Sequence, residues 1–93
     1  MRPTYRRFKE LREKAQEKLK GPGVLEHQLT NAVCEIGYMD ESEVPKHQWE
    51  SIKSILNSCR THKAEKEEGI FQASINKMTY EEKIKLKRAI ELL

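Results

Sequence analysis

The chain has 93 residues, with 18 lysines and arginines against 15 aspartates and glutamates, a formal charge of +3, and 37% apolar residues against 35% charged ones. That is enough for one small domain, read as spanning residues 1–93, and its apolar runs are far shorter than the roughly 20 residues that cross a bilayer. The basic N-terminus, MRPTYRRFKELREK, lacks the apolar stretch that must follow it in a signal peptide, so the chain is expected in the cytoplasm, away from membranes.

Few glycines and prolines interrupt a sequence rich in Lys, Glu, Leu, Ile and Ala, residues that lose little on entering a helix. The expected fold is therefore all-α, a compact bundle of four or five short helices. The first helix is predicted over residues 4–20, where Tyr5, Phe8, Leu11, Ala15 and Leu19 recur every three or four positions and so share one face. Thr4 is placed to cap its start, and Lys20-Gly21-Pro22-Gly23 to end it with a left-handed glycine. Leu25, Leu29, Ala32, Val33 and Ile36 mark a second helix over about 24–37, with Gly37 at the closing position.

Residues 37–45 carry no helical stripe and combine turn formers with Asp40, Glu41 and Glu43, so they read as a solvated acidic connection. Pro45 suits the first turn of a third helix, whose apolar face is Trp49, Ile52, Ile55, Leu56 and Cys59. The polar stretch after Cys59 predicts an exposed continuation supported by Lys63 and Glu67. After Gly69, Ile70, Phe71, Ile75 and Met78 indicate a short fourth helix, expected to act as a connector. Thr79 and Glu82 have the spacing of a capping box, and a fifth helix runs from about Tyr80 to the end. Its inward face is read as Ile84, Ile90 and Leu93, with Leu86 and Ala89 on the flanks.

The strongest functional signal is charge distribution. Residues 1–20 hold eight basic and three acidic residues, net +5, and the remainder carries −2. A helix presenting Arg6, Arg7, Lys9 and Arg12 has the chemistry to neutralise phosphates and release their counterions. Glu10, Glu13 and Glu17 stand among these cations, so the same face also reads as an ordinary salt-laced solvent surface or a match for an acidic protein. Tyr38, Met39 and Trp49 flank the acidic connection and are the candidate anchors for a protein interface. For Trp49 the leading expectation is that it fills the core, as the single tryptophan of a small domain.

Chemistry-bearing residues form no recognisable constellation. Two cysteines are too few for a disulfide framework, and the stripes place Cys34 and Cys59 as small core residues. Cys59 and His62 have a spacing compatible with metal ligation, but no second ligand pair accompanies them. No glycine-rich phosphate loop is present, and neither a catalytic nor a metal site is expected. The expectation is a protein without catalysis or cofactor, an adaptor, inhibitor or regulatory subunit that presents helical faces to a larger protein. The alternative is a nucleic-acid-binding domain using the basic N-terminal helix.

Overall fold

The computed structural model describes residues 5–60 and 69–93. Over these residues the chain is an all-α bundle of five helices without a strand: α1 (Arg6–Lys18), α2 (Leu25–Ile36), α3 (Lys46–Ser58), α4 (Ile70–Asn76) and α5 (Tyr80–Glu91). A single 3₁₀ turn, Glu41–Glu43, lies within the connection between α2 and α3. Thr4, the expected cap of α1, and the polar stretch with His62, Lys63 and Glu67 lie outside the described residues.

The core is made from the stripes the spacing identifies. Phe8, Leu11, Ala15 and Leu19 from α1, Leu29, Ala32, Val33 and Ile36 from α2, and Ile52, Ile55, Leu56 and Cys59 from α3 are all buried. Helix α2 is the axis of the bundle: it packs against α1, α3, α4 and α5, which is why its four inward side chains are wholly inaccessible. α4 is a packing element of α2 rather than a connector, with Ala73 and Ile75 buried and Phe71 partly so.

The fifth helix departs from the expected register. Leu86 and Ile90 are buried, and Ala89 and Leu93 pack against the core, whereas Ile84 is only half-buried and stands outside the cluster. The spacing explains this: 86, 89, 90 and 93 fall on one face of a helix, and position 84 is about 200° from 86 around the axis. The capping box at the start of α5 is formed, with Thr79 N–H donating to Glu82 Oε1 at 3.0 Å and Glu82 N–H donating to Thr79 Oγ1 at 3.2 Å.

The last carbonyls of a helix have no partner within it. For α5 the neighbours supply donors. Gln16 Nε2 donates to the carbonyls of Ile90 and Glu91, at 3.3 and 3.2 Å, and Arg12 Nη1 and Gln48 Nε2 donate to that of Leu93, at 3.3 and 3.0 Å. These contacts set α1 antiparallel to α5, since residue 12 meets 93 and residue 16 meets 90. Gln48 ties the start of α3 to the same end of α5.

The turns differ from the expected ones in detail. Leu19 closes α1 in the right-handed conformation, and the left-handed residue is Gly23, with φ 110°. Gln28 Nε2 secures this turn by donating to the Gly21 carbonyl. Gly37 closes α2, also right-handed. A Cβ there would stand 3.3 Å from Phe71 Cε2, so the position allows α4 to lie close against α2. Pro45 precedes α3, and its carbonyl accepts from the N–H groups of Gln48 and Trp49. Tyr5 begins α1 with φ 52°, a conformation costing an L-residue on the order of 1 kcal/mol, while its half-buried ring packs on the core.

Candidate interaction surfaces

The basic helix is more occupied than its sequence suggests. Arg6 pairs with Glu10 at 3.6 Å on its own helix, and Arg7 pairs with Glu43 at 3.8 Å. The acidic connection thus folds back beside α1 and offsets part of its charge. Arg12 is half-buried: besides donating to Leu93, its guanidinium lies 5.5 Å from the centre of the Phe8 ring. One of its donors is thus engaged at the end of α5. Lys9 remains fully on the surface. Exposed pairs of this kind contribute only about 0–1 kcal/mol each, but they reduce the uncompensated positive potential that phosphate binding requires.

The three candidate anchors are separated by the fold. Tyr38 is 63% exposed, Trp49 is half-buried against the core, and Met39 is 7% exposed as a member of the core. Met39 therefore turns inward and is not a surface anchor. The cause is the end of α2: Met39 N–H donates to the Ile36 carbonyl at 3.0 Å, which winds the chain one step further and carries Met39 under the bundle while Tyr38 points out.

The cysteines also divide. Cys59 is buried as expected, but Cys34 is exposed, and both are free thiols. Cys34 directly follows Val33, and the α2 stripe through Ala32, Val33 and Ile36 turns it away from the core. Burial raises the Cys59 thiol pKa, and partial desolvation by its neighbours, with Glu35 adding to it, raises that of the exposed Cys34. Among the described residues, no three His, Cys, Asp or Glu side chains gather where they could hold a metal ion. No helix among those residues is long and apolar enough to cross a membrane.

A cleft of about 550 Å³ opens between α3, α4 and α5. Ile55, Leu86, Met78 and Ala89 give it an apolar floor, while Ser54, Ser58, Lys77 and Lys85 form its polar edge. Ser54 and Ser58, one turn apart on α3, line it together with the buried Ser74 of α4 and Ala89 of α5. Ser58 Oγ donates to the Ile55 carbonyl of its own helix at 2.8 Å. Glu82 is the one carboxylate lining the cleft among the described residues, and its oxygen is engaged by Thr79 N–H. That hydrogen bond holds its carboxyl below the ordinary range. Reading the apolar stripes alone missed this site, because its determinants are small polar residues beside the stripe. The i, i+4 pair Ser54 and Ser58 next to Ile55 was the available signal.

Two smaller hollows lie elsewhere among the described residues. A groove of about 530 Å³ between α2 and α4 is lined by Thr30, Cys34, Ile70, Phe71 and Gln72, and its rim includes Arg60 and Gly69, which flank the undescribed residues 61–68. A third hollow, of about 220 Å³, brings Lys20 of the first turn together with Lys87 of α5, beside Gln16 and Glu91.

Set against models of protein families, curated proteins and solved structures, the chain matches none of them.

Proposed function

We propose that this protein is a small protein–protein interaction module, an adaptor, inhibitor or regulatory subunit without catalysis of its own, that binds a larger protein through helical surfaces in the cytoplasm. The observation that carries this reading is the α3–α4–α5 cleft. Its apolar floor and polar edge have the composition of a docking pocket, in which desolvated apolar contacts supply affinity and edge groups supply orientation. Most of its residues lie on helices fixed by the core, with Lys77 and Met78 in the turn between α4 and α5, so the pocket is largely formed before binding, which lowers the ordering cost of association. Affinity capture with the whole chain as bait, from nuclease-treated lysate of its native host, tests the reading. It predicts one partner recovered in fixed ratio to the bait and retained after nuclease. Loss of all specific capture on nuclease treatment contradicts it.

A nucleic-acid-binding role is the second reading, and one observation favours it. Lys20 and Lys87, distant in sequence, line a common hollow, so positive charge from α5 adjoins that of α1. Under this reading, reversing Arg6, Arg7 and Lys9 to Glu abolishes oligonucleotide binding, and affinity falls steeply with salt. Arg12 is kept in that variant because its side chain supports the end of α5.

A further inference from the structure

The interaction reading leaves the partner's chemistry open, and the distribution of charge around the cleft narrows it. Lys77 and Lys85 are both exposed on its edge, and Lys77 has no ion pair among the described residues. Glu82 lies one turn before Lys85 and offsets part of its charge, while its Oε1 accepts from the Thr79 N–H. Lys77 contrasts with Arg6 and Arg7 of α1, which have carboxylate partners. Between the two lysines the floor is apolar, with Ile55 and Leu86 in the core and Met78 packed against it. Along α5 the lining runs from Glu82 to Ala89, about 10 Å at the helical rise, or two turns of a docked helix.

Resting on the interaction reading, we infer that this cleft receives an acidic amphipathic helical segment of the partner protein, its apolar side chains on Ile55, Leu86 and Met78 and its carboxylates against Lys77 and Lys85. Helices dock in this way when apolar residues at i and i+4 enter a groove and flanking charges match its edge. Charge at the edge sets orientation and selectivity more than total affinity. A basic or neutral segment with the same apolar face is disfavoured, because it would leave Lys77 without a carboxylate and Lys85 with Glu82 alone.

The test uses a synthetic 16-residue helical peptide with leucines at i, i+4 and i+7 and glutamates beside them, together with its Glu→Gln and Glu→Lys counterparts. Each is titrated into the ¹⁵N-labelled full chain. The glutamate peptide is expected to shift the amides of Ile55, Met78, Lys85 and Leu86, and the Gln and Lys peptides to bind more weakly in that order. The double variant K77E/K85E, with helicity checked by circular dichroism, is expected to weaken the glutamate peptide about tenfold, the sum of modest contributions from two edge charges. Three results overturn the inference: no cleft shifts at millimolar peptide, equal binding of the three peptides, or shifts at these amides caused instead by a duplex oligonucleotide. Failure here is separable from failure of the interaction reading. A nuclease-resistant partner captured equally by the native chain and by K77E/K85E leaves that reading standing and removes the cleft as its site.

Discussion

Single residues in this chain take on roles that depend on which way the helix turns them. Cys34 and Cys59 both sit next to apolar stripes, yet only Cys59 is buried. Sequence periodicity identifies the stripe but not its width, and a residue at its border goes in or out according to how closely the next helix packs. The consequence is measurable with a thiol reagent. One thiol, Cys34, is expected to react in the folded protein, more slowly than an ordinary free cysteine because its pKa is raised. The second reacts only after denaturation, and two equally fast thiols in the native protein would contradict this placement. Arg12 and Met39 carry the same lesson. Composition marks one as a phosphate contact and the other as an anchor, but tertiary contacts assign Arg12 to the end of α5 and Met39 to the core.

Glycine at position 23 is demanded by its backbone. Its φ of 110° lies in a region an L side chain rarely adopts, so Gly23→Ala is expected to lower stability by about 1–2 kcal/mol in urea unfolding. An unchanged midpoint would show that the turn relaxes at little cost. Sequence reading placed a left-handed glycine in this turn but assigned it to the end of α1 itself, because Gly21 and Gly23 are both candidates and only the completed turn distinguishes them.

Among elements, α5 shows how far local signals reach. Its start was fully legible, since a capping box is a contact between residues three apart and needs no tertiary information. Thr79→Ala is expected to cost about 1 kcal/mol in stability, checked by chemical denaturation. Its face was less legible: Ile84, Leu86, Ala89, Ile90 and Leu93 all invite burial, and packing against α1, α2 and α3 selects the 86-89-90-93 face. The α3–α5 cleft was invisible for a related reason. Its lining comes from α3, α4 and α5 at once, and no one helix reveals it alone.

The link between α2 and α5 is tuned by pH. Lys83 Nζ donates to Glu26 Oε1 at 2.8 Å, with the lysine largely covered. That hydrogen bond, followed by the interaction of the carboxylate with its own backbone, holds Glu26 below its ordinary value near 4.5. A carboxyl with a depressed folded-state pKa binds its proton more readily when unfolded. Its contribution is therefore complete above about pH 4.5 and disappears as pH falls through the lower folded value. Glu26→Gln is expected to destabilise the protein at neutral pH and to converge with the native chain in acid. A constant difference across the titration would show that the ion pair is not the cause.

At the scale of the whole molecule, an α2-centred bundle leaves its charges in two conditions. Those on α1 are partly met within the chain, by Glu10 on the same helix and by Glu43 from the acidic connection. Those at the α3–α5 cleft stand beside an apolar floor. Net charge along the sequence pointed to the first region because it cannot register a carboxylate that returns from 36 positions away, as Glu43 does to Arg7. The fold class was legible because helical periodicity is repeated five times over. The site was not, because it depends on which faces meet.

The proposal that this chain binds a protein rather than a nucleic acid is tested by a fluorescence-anisotropy titration of the full chain with labelled duplex and single-stranded oligonucleotides, repeated over a range of salt. Because part of the α1 charge is already paired, the account predicts a flat response at physiological salt that R6E/R7E/K9E leaves unchanged. Tight binding that falls steeply with salt, and that this variant abolishes without loss of helicity, would contradict it.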